Sequence, residues 1–309
     1  MLELIKELHF PFMHHRGKAY AFSLLVIAIG LVSLVMHKGF RLGVDFAGGR
    51  MIEYRFSQPV ETEKIRTVMN QLQMGDAEIQ KAGETGTSFL LRIPVAETEQ
   101  KAGESPSARI LEALQASQPG LTGEVRREEL VGPKVGKELQ GQATWAVTLA
   151  LLAILVYVGV RYEFKFALGG VIALAHDVIV SLLMCSVFNI EITIPIIAAL
   201  MTIGGYSIND TVVVFDRIRE EMRLRQGQPL EQVMDLSIAK TMSRTILTSL
   251  TTFLSTFALF LLGGEVIHGF AFTMMVGVVF GTYSSVYIAS ALALEVSRRA
   301  GANRPAKVA

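Results

Sequence analysis

Six long apolar runs constrain this chain more than any other feature. Ala19–Met36, Ala143–Val160, Phe166–Phe188, Ile192–Phe215, Thr245–Leu262 and Phe270–Leu294 are 18, 18, 23, 24, 18 and 25 residues long. Across those 126 residues the only acidic, basic or histidine side chains are His176, Asp177 and Asp210. As helices rising about 1.5 Å per residue, runs of this length cross roughly 30 Å of hydrocarbon. A soluble chain carries about a quarter charged residues, whereas this one has 18% charged and 51% hydrophobic residues. A soluble enzyme and a nucleic-acid binder are excluded on that pattern. The single cysteine, Cys185, lies inside a run, so the chain can form neither an intrachain disulfide nor a thiolate metal cluster. A net charge of +1 is too balanced to point to an acidic partner.

The first run follows Arg16 and Lys18, as a secretory signal would, yet it is longer than a signal core. His37, Lys38 and Gly39 follow it instead of a small-x-small cleavage site, so it reads as a retained helix. Basic residues flank alternate ends of the spans: Lys6, Arg16 and Lys18; Arg161 and Lys165; then Arg217, Arg219, Arg223, Arg225, Lys240 and Arg244. The tail adds Arg298, Arg299, Arg304 and Lys307. The opposite turns, Asn189–Glu191 and Gly263–Gly269, contain no lysine or arginine. The positive-inside rule then puts both termini in the cytoplasm. The predicted organisation is a cytoplasmic segment 1–18, a first transmembrane helix 19–36, an external domain 37–142, a five-helix transmembrane domain 143–294 and a cytoplasmic tail 295–309.

The external segment has 14 basic and 15 acidic residues, the balance of a folded aqueous module. Met51–Phe56 alternates as a strand does, and Glu61–Gln73 places Ile65, Val68, Met69 and Leu72 at helical spacing. Ala77–Ala82 and Ser88–Ile93 read as strands around a Gly83–Gly86 turn. Ser105–Ala116 reads as a helix opened by Ser-Pro, and Gly123–Val131 as a last strand. The order β-α-β-β-α-β predicts a ferredoxin-like α+β domain inserted into a polytopic six-helix membrane protein. The segment shows no Ser-His-Asp order, metal-ligand spacing or phosphate loop, so its expected role is contact.

Aspartate inside a membrane helix costs about 2.5–3.5 kcal/mol and needs a partner or a use. Asp177 is residue 12 of the 23 in its run, near mid-membrane; Asp210 is residue 19 of 24, roughly 8 Å from the cytoplasmic end. Arg244 opens the fifth span from that side, within one or two turns in depth. A carboxylate that meets arginine in one state and water in another is a proton switch; the plainer reading is a static ion pair. Thr245, Thr248, Ser249 and Thr252 put hydroxyls along the fifth span. Such hydroxyls either line a hydrated path or bond back to their own helix. Gly269, Thr273, Gly277, Gly281 and Ser285, at four-residue spacing, and Gly204, Gly205 and Ser207 predict close helix packing. His176, about 100° round the helix from Asp177, reads as a packing residue.

Several long motifs stand in order along the chain: LGVDFAGG (Leu42–Gly49), LVGPKVGKEL (Leu130–Leu139), ALAHDVIV in the third span, GYSINDTVVVFDRIRE (Gly205–Glu220) and RTILTSLTT from Arg244. With one span, an external loop and then five spans, the chain resembles the SecF family of protein-export subunits. That family is itself similar to half of a resistance-nodulation-division transporter. The resemblance implies a non-enzymatic inner-membrane protein without cofactors. It would pair with SecD, act beside the SecYEG translocon and its accessory subunits, and use the proton-motive force to help preproteins across the membrane. Motif by motif, it implies that Asp210 carries the proton, that Arg244 is its electrostatic partner and that Asp177 supports them. The larger substrate-handling domain would belong to SecD.

Three other readings compete. An intramembrane aspartyl protease would use Asp177 and Asp210 as a dyad, but Ser-Ile-Asn precedes Asp210 and His precedes Asp177 where such proteases carry Gly-x-Gly and Tyr. A self-contained small-molecule exporter needs a second half, and no internal duplication is visible. A structural scaffold of the translocon without proton coupling is the third.

Overall fold

The computed structural model describes residues 10–75, 77–82, 85–94 and 105–302. Lys6, Arg304, Lys307 and Gly83 of the expected turn lie outside the described residues. After a single 3-10 turn at Met13–His15 the helices are α1 (Arg16–Met36), α2 (Val44–Ala47), α3 (Thr62–Gln71), α4 (Pro106–Ser117), α5 (Pro133–Arg161), α6 (Phe164–Val187), α7 (Ile194–Leu224), α8 (Leu230–Leu262), α9 (Glu265–Ser284) and α10 (Ser290–Ala302). A five-residue π turn, Ser285–Ala289, joins α9 to α10 without a break. The strands are β1 (Gly49–Phe56), β2 (Glu78–Ala82), β3 (Ser88–Ile93) and β4 (Gly123–Val131).

The strands form one antiparallel sheet in the order β2-β3-β1-β4, as the β-α-β-β-α-β pattern predicts. Alternation along β1 and β3 sends Ile52, Tyr54, Phe89 and Leu91 to one face. There they meet Ile65, Val68 and Met69 of α3 and Ile110 and Leu114 of α4. The buried Tyr54 hydroxyl donates to the Ser107 carbonyl at 2.8 Å, tying α4 to the sheet. Glu128 of β4 pairs with Arg50 and accepts from the Ser107 hydroxyl at 2.7 Å.

Among the described residues, six helices are long and apolar enough to cross a membrane. α6, α7 and α9 form the buried centre, while α1, α5 and α8 have mostly exposed sides. The small-residue stripe on α9 explains how the centre closes. Its positions face α7 in register: Gly269 meets Ile196, Gly277 meets Ile203, and Gly281 sits with its Cβ position 3.3 Å from that of Ser207. Gly205, expected at such an interface, faces open space instead; nothing lies within 4 Å of where its Cβ would be. It is two residues, or about 200°, round the helix from both Ile203 and Ser207, on the face turned away from α9.

Helix limits differ from the apolar runs wherever a helix continues into water. α5 begins at Pro133, well before Ala143, and α7 and α8 extend past Phe215 and before Thr245 as a helical hairpin. Hydropathy marks where a helix leaves lipid, not where its hydrogen bonds stop. Beyond the lipid-facing part of that hairpin, the buried Glu221 is held by Arg217 at 2.6 Å, Lys240 at 2.6 Å and Arg225 at 2.9 Å.

Two predictions follow from this packing. Gly277→Val drives a branched side chain into Ile203 and is expected to cost about 1–3 kcal/mol, read as a lowered thermal midpoint; Gly205→Ala should leave the midpoint unchanged. In the sheet domain, burial disfavours charge on Glu128, but hydrogen bonds from Ser107 and Arg50 outweigh it and hold the carboxyl below the usual glutamate range. A depressed native value stabilises the fold above the ordinary value of about 4.5 and is lost as pH falls through the native one. Glu128→Gln should therefore flatten that acid-side loss in thermal unfolding of the chain.

Candidate functional site

Asp210 sits in the bundle centre and is 9% exposed. Its position on α7 points it at the end of the α9 stripe, where Ser285 replaces the glycines. The Ser285 hydroxyl donates to Oδ2 at 2.5 Å and the Thr245 hydroxyl of α8 donates to Oδ1 at 2.6 Å. Each carboxylate oxygen thus has one hydroxyl donor. Arg244, the expected partner, is exposed and within electrostatic range of Asp210, yet no ion pair within 4 Å joins them among the described residues. The carboxyl is held by neutral groups that can turn, so a proton can be added without breaking an ion pair.

Asp177 on α6 is wholly buried. Its Oδ2 accepts from Ser207 of α7 at 2.5 Å and from Ser284 of α9 at 2.7 Å, and its Oδ1 lies 3.0 Å from His176 Nδ1. His176, expected only to pack, is part of this site, because its side chain turns back over the helix to meet its neighbour's carboxyl. Its Nε2 lies 3.1 Å from the Ser23 hydroxyl of α1, which lies 3.1 Å from the Tyr283 hydroxyl; Tyr283 in turn donates to the Ala19 carbonyl at 2.6 Å.

Two consecutive serines therefore serve two different carboxylates: Ser284 serves Asp177 and Ser285 serves Asp210. The π turn beginning at Ser285 widens the helix locally, and the Ser290 hydroxyl fills its hydrogen bonding by donating to the Ser285 carbonyl at 3.0 Å. Such turns recur at functional sites in helices. No spacing rule flags a π turn in a sequence, which is why Ser285 reads there only as a small residue and Ser284 goes unread.

The fifth-span hydroxyls separate into two sets. Thr245 and Ser249 point inward, Ser249 meeting Thr282 at 2.6 Å and Tyr206 at 3.0 Å. Thr248 and Thr252 bond back to carbonyls of their own helix. The inner set extends the polar seam from Asp210 along the α7–α8–α9 contact.

The N-terminal end of α7 is clasped by the domain that carries the sheet. Leu42 and Ile192 form a parallel bridge, with Gly43 N donating to the Ile192 carbonyl at 2.9 Å and Ile192 N to the Arg41 carbonyl at 2.8 Å. Asp45 accepts from Ile194 N at 3.0 Å, occupying the first turn of α7. Glu191, 10% exposed, pairs with Arg41 at 3.0 Å and with Arg92 of β3. The same LGVDFAGG motif packs on α5: Gly136 lies under the Phe46 carbonyl, which also accepts from Gln140 at 2.8 Å. Gly48, at φ 76°, turns the chain against Pro133. Two sequence motifs thus build one joint between sheet and bundle. A cleft of about 400 Å³, lined by residues including Arg41, Arg127, Glu129 and His268, lies beside it. Glu191 was legible only as a residue of a short turn that carries no lysine or arginine.

The chain is similar to known proteins over nearly its whole length. The family described as "Protein export membrane protein SecD/SecF, C-terminal" matches residues 111–299, and the "SecD/SecF GG Motif" matches residues 34–60. The protein translocase subunit SecF of Desulfurispirillum indicum is 43% identical, covering 92% of this chain and 90% of its own length. The chain belongs to the SecF family. The SecF subunits of Vibrio alginolyticus and Escherichia coli O157:H7 are 43% and 40% identical over 96% and 94% of the chain. The crystal structure of SecDF from Thermus thermophilus, a translocon-associated membrane protein, superposes with a TM-score of 0.81 at 37% identity over 97% of this chain. A SecDF structure in a super-membrane-facing form gives 0.70 at 38% identity. The chain spans 40% of the length of each SecDF chain. This is a multi-pass membrane protein with a role in protein translocation, and the GG motif is its joint.

Because the joint depends on Glu191, Glu191→Ala should raise hydrogen exchange at the Gly43 and Ile192 amides while the α9 amides keep their protection. A cost of about 1–3 kcal/mol is expected for the lost charge-assisted bonds.

Proposed function

We propose that the chain works with SecD beside the SecYEG translocon and its accessory subunits in the cytoplasmic membrane, where proton flow through Asp210 drives a cycle of the external domain that helps preproteins across. The observation that carries this reading is the placement of Asp210. It is a carboxyl buried among helices and held by two hydroxyls, on a helix whose far end is clasped by the external domain through Asp45 and Glu191.

In this cycle an ionised Asp210 draws Ser285 of the π turn and Thr245 of α8 onto α7. Protonation removes the charge that makes those bonds strong, and the smooth α7–α9 interface lets the helices shift. Because α7 ends in the joint, its tilt passes to the sheet through Glu191 and Arg92. One charge crossing 100 mV supplies about 2.3 kcal/mol, enough to bias a two-state element but not to drive a whole translocation in one step. Arg244 serves as the counter-charge near the proton's exit.

Several features support the assignment of partners and sides. Arg16 bridges Glu231 and Glu295, and Arg298 reaches Glu231, gathering the starts of α1 and α8 and the end of α10 at one basic end. The positive-inside rule makes that end cytoplasmic and the sheet external. The exposed side of α8, where Arg244 stands beside Leu247, Leu250 and Leu254, is the face proposed for SecD. The two SecDF structures match this chain at nearly equal identity but at TM-scores of 0.81 and 0.70, a gap that sequence divergence does not account for; it fits an architecture with more than one arrangement.

Asp210→Asn is expected to abolish the proton-gradient stimulation of preprotein export by membrane vesicles while leaving assembly with SecD intact. Stimulation equal to wild type would remove the carboxyl from the mechanism. Full export with Asp210 and Arg244 neutralised together would favour a scaffold.

A further inference from the structure

The hydrogen bonds around His176 can be counted donor by donor. Tyr283 has one hydroxyl hydrogen, and it goes to the Ala19 carbonyl. The hydrogen between Ser23 and Tyr283 must then come from Ser23. With that hydrogen committed, the contact between His176 Nε2 and Ser23 Oγ requires the imidazole to donate. A neutral imidazole with hydrogen on Nε2 has a bare Nδ1, and Nδ1 lies 3.0 Å from Asp177 Oδ1. Two bare acceptors do not bond, so one further proton lies between them. Ser207 and Ser284 meanwhile both donate to the other oxygen, Oδ2.

We propose that His176 and Asp177 form a second proton-holding site, coupled to Asp210 through the serine pair at the π turn. The proton resides either on Asp177 Oδ1 beside a neutral imidazole or on His176 Nδ1 beside a carboxylate. Both forms leave the pair neutral, which suits a wholly buried site where a lone carboxylate would be costly. The proton enters from water and returns to it, with no other reactant.

The coupling lies in the alternative acceptors of the two serines. Ser284 Oγ is 2.7 Å from Asp177 Oδ2 and 3.1 Å from the Gly281 carbonyl. Ser285 Oγ is 2.5 Å from Asp210 Oδ2 and 3.0 Å from the Thr282 carbonyl. Each hydroxyl has one hydrogen and two places to put it, and a charged carboxylate outcompetes a carbonyl. When Asp210 gains a proton, Ser285 turns to Thr282. The π turn repacks, and Ser284, its immediate neighbour, shifts on Asp177. Ser207 offers a second link, standing one helical turn before Asp210 on α7 while bonded to Asp177.

The other groups facing the pair leave this site its own proton. α1 presents Ser23, α9 presents Tyr283 and Ser284, and α7 presents Ser207 with Asp210 a turn further on. α10 meets α6 nearer the cytoplasmic end, where its Glu295 is taken by Arg16, and α5 contributes apolar residues such as Val158. Arg244 on α8 lies on the Asp210 side.

This inference rests on the proton-switch reading of Asp210, but its test reads no export. The full chain, labelled with ¹⁵N-histidine and reconstituted in lipid vesicles, is followed by solid-state NMR across pH, with His176→Asn assigning the resonances. Nε2 of His176 is expected to carry hydrogen throughout, with Nδ1 showing a shared proton. Asp210→Asn should move the Nδ1 signal or its titration midpoint, by about half a pH unit or more. Ser285→Ala should suppress that response and Ser285→Thr, which keeps the hydroxyl, should restore it. A bare Nε2, or an Nδ1 with no shared proton, overturns the second site. An Nδ1 signal indifferent to Asp210→Asn overturns the coupling, even if the same variant abolishes proton-stimulated export in vesicles.

Discussion

A carboxyl group in hydrocarbon must be hydrogen-bonded, and the centre of this bundle is organised around that requirement. Two aspartates on adjacent helices have no guanidinium within ion-pair distance among the described residues; hydroxyls from Thr245, Ser207, Ser284 and Ser285 serve them instead. Hydroxyls have two uses in such a site. They satisfy the charged form, and they can rotate to a helix carbonyl when the charge is gone. A buried arginine pair is bound by stronger forces and costs more to disrupt.

The central contact of the bundle is smooth. Glycines on α9 face Ile203 and Ser207 on α7, so these helices meet with little side-chain interdigitation and end at the Ser285–Asp210 bond. At the opposite end α7 does not finish in a free turn. It is capped by Asp45, bridged at Ile192 and pinned at Glu191 by two arginines, one on a strand of the sheet. A helix held by rotatable bonds at one end and clasped at the other has the connectivity of a lever. The same joint gives the GG motif a mechanical meaning: its glycines bring α2 against Pro133 and leave Gly136 of α5 under the Phe46 carbonyl.

Much of this was legible in the sequence. Strands β3 and β4 fall on the residues that alternation picked out, and the six spans follow from apolar length alone. Asp177 and Asp210 stood out because charge is rare in such runs. His176 did not, since an ideal helix places neighbours about 100° apart and says nothing of a side chain that folds back. Gly205 was grouped with the packing residues because composition does not report which face a residue occupies.

The sequence by itself determined the number of spans, the inserted domain, the family and the two acids inside the spans, because each rests on local periodicity, length or a contiguous motif. Only the tertiary structure decided who those acids bond to. Ser207, Thr245, Ser284 and Ser285 come from three different stretches of chain, and a π turn that no spacing betrays sets two neighbouring serines on two different carboxyls. Hydrogen bonds between helices depend on rotation about each helix axis, and that rotation is set by packing against neighbours far away in sequence.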